Sequence, residues 1–142
     1  MNISAKTEYA CIAVLELAAQ HASDEPVRIR DIADRHGIPS RFLVQILLQL
    51  KSAGLVASLR GATGGYRLAK EPDEITLHEV MSVVDNQSGA IKSSAGRSTA
   101  TTRVLTQCWK RVAAKERELL SAVTFADLAE QLAHPSETMY HI

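Results

Sequence analysis

Aromatic residues make up only 4% of this 142-residue chain. A core so poor in rings must be built from Leu, Val, Ile and Ala, which favours packed helices over a β-sandwich. Cysteine is just as scarce. Cys11 and Cys108 are the only two, too few for a disulfide framework or a four-thiolate zinc site. The five histidines, His21, His36, His78, His134 and His141, are scattered without ligand spacing. No apolar run approaches the ~20 residues that a membrane helix needs. Glu8 and Glu16 interrupt the first apolar stretch, where a signal peptide would carry no charge. The expected location is therefore the cytoplasm, with no membrane partner. Hydrophobic residues account for 46% of the chain, an ordinary globular share. The length suits one core, or one domain with a dimerisation appendage.

The chain also lacks net charge, but the charges are unevenly placed. Between residues 28 and 70 stand eight basic residues (Arg28, Arg30, Arg35, Arg41, Lys51, Arg60, Arg67 and Lys70) against Asp31 and Asp34 alone. The stretch 71–85 then holds five acids and no Lys or Arg. Phosphate contact depends on local charge, so a basic module inside a neutral protein suits a specific DNA binder. Taken alone, the asymmetry fits an unevenly charged solvated surface equally well.

Residues 5–21 read as a helix that is apolar nearly all round, and such a helix is buried on more than one side. Packing against its own domain and against a partner chain would satisfy it. Residues 28–36 make a short amphipathic helix whose Ile29, Ile32 and Ala33 face inward. Gly37 follows where helices commonly end in a left-handed residue. Pro39 and Ser40 then supply a start signal for a helix over residues 40–53, stopped by Gly54. Two short helices joined by a glycine-containing turn outline a helix-turn-helix.

In the second helix Phe42, Leu43, Ile46, Leu47 and Leu50 fall in one sector at 100° per residue, the sector expected to face the core. Opposite lie Arg41, Gln45 and Ser52, with Val44 and Leu48 nearby. Arg41 and Gln45 occupy the N-terminal half, the part of such a helix that reaches base edges in the major groove. Arg pairs bidentately with guanine and Gln with adenine, while Val44 suits a thymine methyl. An ordinary solvated helix face would look similar.

Residues 55–60 alternate, with Leu55, Ala57 and Leu59 on one face and Val56, Ser58 and Arg60 on the other. Residues 61–65 form a glycine-rich turn and 66–69 resume as a strand, giving a β-hairpin. A hairpin directly after a helix-turn-helix is the wing of a winged helix. Arg60 and Arg67 flank its tip, and the bare backbone of Gly64 and Gly65 can approach phosphates or a narrow minor groove. A plain turn is the bland alternative. The pattern argues against a nucleotide-cradling loop, because the glycines join two strands and no Lys-Ser/Thr pair follows.

Residues 75–84 read as a further helix, with Thr76 as cap and Glu79 three residues on. Residues 86–102 are rich in Ser, Thr, Ala and Gly and read as a flexible loop. From about residue 101 to 123, Leu105, Trp109, Val112, Glu116, Leu119 and Val123 recur at alternating spacings of four and three. A long helix of this kind at the end of a small domain calls for a two-fold partner helix. A last short helix covers residues 125–132, and the tail after Pro135 is expected to fray. The division that results is a winged helix-turn-helix over 1–85, a loop over 86–102 and a dimerisation region over 103–142. The fold class is mainly α.

These segments together resemble the Rrf-two family of bacterial winged helix-turn-helix regulators, which includes an iron–sulfur cluster regulator and a cysteine-metabolism repressor. The likeness rests on Thr7-Glu-Tyr-Ala10, on Ile-Pro-Ser-Arg-Phe-Leu-Val-Gln-Ile-Leu over 38–47, and on Ala-Gly-Leu-Val-Ala-Ser-Leu-Arg-Gly over 53–61 with Gly-Gly-Tyr-Arg-Leu-Ala over 64–69. It implies a homodimer with crossed long helices that reads a partly palindromic site on double-stranded DNA, as a repressor. Arg28, Ser40, Arg41, Val44, Gln45, Arg60, Thr63, Gly64, Gly65 and Arg67 would then meet DNA. Leu105, Trp109, Val112, Leu119 and Val123 would meet the partner. Val44 stands where many relatives carry Glu, so their base preference does not transfer.

Sensing is where the chain departs further. Cluster-bearing members place three cysteines ahead of the long helix, and here residues 86–102 have none. The expectation is no metal and no cofactor. An atypical iron–sulfur site between subunits, through Glu8, Cys11 and Cys108, is one alternative. Another is a clusterless protein-interaction module controlled by a partner enzyme or a thiol switch. No nucleophile–base pair or paired carboxylates suggest an enzyme.

Overall fold

The computed structural model describes residues 1–62, 64–85 and 91–134. Its central element is α1 (Ala5–Ala19), which packs against several other elements of the chain. It can do so because its buried apolar positions, Ala10, Ala13, Val14, Leu17 and Ala18, include three small residues that let neighbours approach from several sides. Ser4 caps it, the hydroxyl accepting from the Thr7 N–H at 3.1 Å. Thr7 in turn donates its hydroxyl to Asp85. On the other side Glu16 holds Arg35 and His36, each at 2.8 Å, and so pins the helix that follows.

That helix is α2 (Ile29–His36), closed by Gly37 at φ 66°, a left-handed conformation that favours glycine. The chain turns through Ile38, which is buried, into α3 (Ser40–Ser52). Pro39 occupies the N-cap rather than the first turn, and Ser40, the expected start signal, makes no side-chain capping bond. Leu43, Ile46, Leu47 and Leu50 are buried in the common core as their spacing requires. Phe42 is a correction: it is 42% exposed. At 100° per residue it lies about 40° beyond Ile46, outside the sector that the other four define.

Gly54, at φ 80°, stops α3, and Leu55 stays tied to the helix end through a 3.0 Å bond from its N–H to the Leu50 carbonyl. Strands β1 (Val56–Leu59) and β2 (Gly65–Leu68) pair antiparallel, with Val56 opposite Leu68 and Leu59 opposite Gly65. The expected alternation holds poorly here. Leu55 and Val56 are both buried because Leu55 still belongs to the helix terminus, whereas Leu59 is exposed near the tip. A single-residue bridge, missed in the sequence, extends the hairpin: Val27 and Tyr66 exchange two backbone bonds of 2.8 Å.

Helix α4 (Leu77–Asp85) is capped by Thr76, whose hydroxyl accepts from the Glu79 N–H at 3.1 Å. The Glu79 carboxylate turns instead to Lys70, at 3.5 Å. The first five residues of the expected loop at 86–102 lie outside the described residues, as does the tail after Pro135. Helix α5 (Ala100–Ser121) has no buried residue over its 22 positions. The chain then returns, and α6 (Phe125–Ala133) packs on α1, with Phe125 fully buried in the same core. The last helix, grouped with the dimerisation region on sequence alone, is therefore packed into the N-terminal unit. The fold is mainly α with one two-stranded wing.

Candidate nucleic-acid interface

Because Leu43, Ile46, Leu47 and Leu50 hold one side of α3 in the core, the opposite side is obliged to face out. Arg41, Val44, Gln45 and Leu48 stand exposed on it, Val44 at 42% and Leu48 at 51%. Two large aliphatic side chains left bare between polar ones suit base methyls and sugars better than water. The Arg41 guanidinium lies 5.0 Å from the Phe42 ring centre. Phe42 stacks on Tyr9 of α1 with centroids 6.5 Å apart and planes at 27°. The exposed ring that departs from the core thus links α1 to the N-terminal end of α3. No sequence pattern signalled that pairing, since Tyr9 and Phe42 come from different helices.

The wing stands beside α3. Arg60 is exposed at the end of β1, and Gly61 (φ 108°) begins a turn closed by a 2.9 Å bond from the Gly64 N–H to the Gly61 carbonyl. Thr63 lies outside the described residues. Gly65 is required by close approach: a Cβ there would stand 2.6 Å from the Val27 carbonyl oxygen. Arg28, just before α2, donates to the Ala62 carbonyl and so braces the tip. Lys51 at the end of α3 donates to the Ser58 hydroxyl at 2.7 Å, joining α3 to the wing. Arg67 lies farther back along β2 opposite Ala57, with a guanidinium nitrogen 3.6 Å from Asp24. Of the ten residues assigned to DNA, Arg41, Val44, Gln45 and Arg60 stand exposed with no ion pair among the described residues, Arg28 and Arg67 already have intramolecular partners, and Ser40 is exposed at the start of α3.

A basic, partly apolar helix face flanked by a glycine-tipped hairpin is the geometry of a winged-helix DNA reader, and the family model describing "Rrf2: Iron-dependent Transcriptional regulator" matches residues 3–131. The chain belongs to the Rrf2 family. The HTH-type transcriptional regulator IscR of Aliivibrio salmonicida is 38% identical over 130 residues, 90% of this chain and 77% of that protein. Among solved structures, CymR, the global cysteine regulator of B. subtilis, superposes with a TM-score of 0.80 at 31% identity, covering 92% of this chain and 97% of that one. IscR of T. potens gives 0.74 at 32% identity, covering 93% and 88%. Rrf2 members are transcription regulators and not enzymes, and this chain is a DNA-binding regulator of that kind.

The iron in the family description would require a set of donors, and the described residues of one protomer do not bring such a set together. Glu8 and Cys11 line one groove of about 290 Å³ between α1, α4, the end of α5 and α6, whose remaining walls are mostly aliphatic. Burial, and then the charge of Asp85, pushes the Cys11 thiol up to about 11. A cluster ligand must be a thiolate, so this environment works against ligation. Cys108 is exposed on α5 and takes no part in that groove. Among the described residues no three His, Cys, Asp or Glu side chains stand together as a metal site. Within one chain the donors do not fit an iron–sulfur cluster. No helix among the described residues is long and apolar enough to cross a membrane.

Proposed function

We propose that this regulator binds a partly palindromic operator as a homodimer, represses transcription from it, and works without an iron–sulfur cluster. The observation that carries the DNA-binding part is the bare face of α3, with Arg41, Val44, Gln45 and Leu48 exposed beside Arg60 at the wing tip. Arg41 and Gln45 read bases and Val44 meets a methyl group. Arg60 and the Gly64–Gly65 backbone follow the minor groove, while Arg28 supports the wing from behind.

Dimerisation is supported by α5. Leu105, Trp109, Val112 and Leu119 are all exposed along one side of a helix with no buried residue. A solvated helix of 22 residues with such a stripe calls for a second apolar surface. Val123 sits apart from this stripe: it lies past the helix end, half-buried, and its carbonyl accepts from the Leu77 N–H at 2.9 Å. Two recognition helices related by a two-fold axis account for a partly palindromic site.

The test is selection of duplexes from genomic fragments by the purified protein, followed by titration of the recovered site. Arg41→Ala and Gln45→Ala are each expected to cost about 1–3 kcal/mol at that site and to relax the preference at one base pair. Affinity should fall steeply with salt. Failure to enrich any duplex at low salt, or unchanged selectivity in both variants, overturns the assignment.

A further inference from the structure

A second basic region lies outside the winged helix. From residue 86 to residue 115 the sequence carries six Lys and Arg and not one Asp or Glu. In the folded chain four of the six, Lys92, Arg97, Arg103 and Lys110, converge on a cleft of about 470 Å³ between the segment leading into α5 and the first turns of that helix. The remaining walls are largely hydroxyl-bearing, with Ser98 and Thr102 among them, and no carboxylate lines the cleft. None of the four cations has an ion-pair partner among the described residues; Arg103 has only the Ser98 hydroxyl, at 3.3 Å. The amide groups that begin α5 are not the attraction. Thr99 and Thr102 cap them reciprocally, at 3.2 and 2.9 Å.

Four like charges around one concavity repel one another, weakly because all four are exposed to solvent, and no carboxylate among the described residues stands within ion-pair distance to offset that repulsion. The cleft offers donors in abundance and no carboxylate acceptor. Its volume falls within the range of small-molecule sites. We propose that this cleft binds a small multivalent oxyanion, of the class of phosphate-bearing metabolites, with Arg97 and Arg103 as forked donors to its oxygens. Occupancy neutralises the cluster and draws the 91–99 segment onto α5, the helix whose apolar stripe is exposed. The ligand thereby acts on the part of the molecule distant in sequence from the DNA-reading face.

Isothermal titration of the full-length protein with pyrophosphate and with inorganic phosphate, at fixed ionic strength and without DNA, tests this directly. The expected result is saturable binding of pyrophosphate at one site per chain, tighter than that of phosphate. It should weaken at least tenfold in Arg97→Gln/Arg103→Gln, with operator affinity in the absence of the anion unchanged. Lys110→Gln, on the far wall, should weaken it by a smaller factor. Absence of saturable binding, or equal binding by the double variant, overturns the proposal. So does a double variant that binds no anion differently but loses operator affinity with a shallower salt dependence, which would make the cleft a phosphate contact of the DNA complex. Because the titration contains no DNA, its outcome is independent of whether the operator-binding assignment holds.

Discussion

Replacing Trp109 with alanine should break the proposed dimer while leaving each protomer's core untouched. Trp109 is 53% exposed in the protomer. With about 250 Å² for a buried tryptophan, roughly 130 Å² remains to be covered by a partner. At about 25 cal/mol per Å² that area is worth about 3 kcal/mol, and two-fold symmetry doubles it to about 6. Alanine retains part of the area and buried surface converts incompletely into affinity, so the expected loss is about 3–5 kcal/mol per dimer. That is a rise in the dimer dissociation constant of roughly two to four orders of magnitude. Sedimentation equilibrium over a wide concentration range measures it. Glu118→Ala, half a turn round the same helix and paired only with Lys115 at 3.3 Å, serves as the control and should leave the constant within about threefold. If Trp109→Ala dimerises as tightly as the parent, the apolar stripe of α5 is not the interface.

Leu47→Ala removes a fully buried side chain on the core side of α3 and should destabilise the fold by about 2–5 kcal/mol, read from urea denaturation. Gly65→Ala sets a methyl group 2.6 Å from the Val27 carbonyl oxygen, a backbone atom that cannot swing aside. Operator affinity should fall by about tenfold or more as the wing shifts, with the helical core retained by circular dichroism. The Cys11 thiol, pushed up from 9.0 to about 11, should alkylate far more slowly at pH 8 in the native protein than in urea. The folded state holds that proton more tightly than the unfolded chain, so the stability it contributes is present below pH 9 and lost as pH rises from 9.0 to about 11. Cys11→Ser should remove that part of the alkaline decline in stability, measured by denaturant melts across the range.

The order of elements was legible because it is written in local spacing. The α2–turn–α3 unit follows from the Ile32, Ala33, Leu43, Ile46 and Leu47 periodicity and from Gly37, whose left-handed φ is a property of one residue and its neighbours. The wing follows from two short strand-like runs around clustered glycines, although the alternation within the first run did not hold. What failed did so where a residue sits at the margin of a pattern. Phe42 is apolar and nearly in sector, but the sector's edge is decided by what packs there, and Tyr9 of another helix takes it. Leu55 reads as a strand residue, yet its N–H still closes α3. The acid-free run at 86–115 was visible in the sequence and its meaning was not, because charge along a chain says nothing about convergence in space.

Local chemistry alone thus determined the helix-turn-helix, the hairpin behind it and the long helix α5 with its apolar stripe. Those features arise from side-chain period, turn residues and caps, all short-range. Only the tertiary structure decided which arginines are available to a ligand. Arg28 and Arg67 are spoken for by Ala62 and Asp24, while Arg41 and Arg60 remain open toward solvent. It also carried α6 back onto α1, through contacts between residues more than a hundred positions apart, and drew Lys92, Arg97, Arg103 and Lys110 around one cleft. Burial and ion pairing depend on what the rest of the chain brings alongside, and that is a property of packing rather than of any segment.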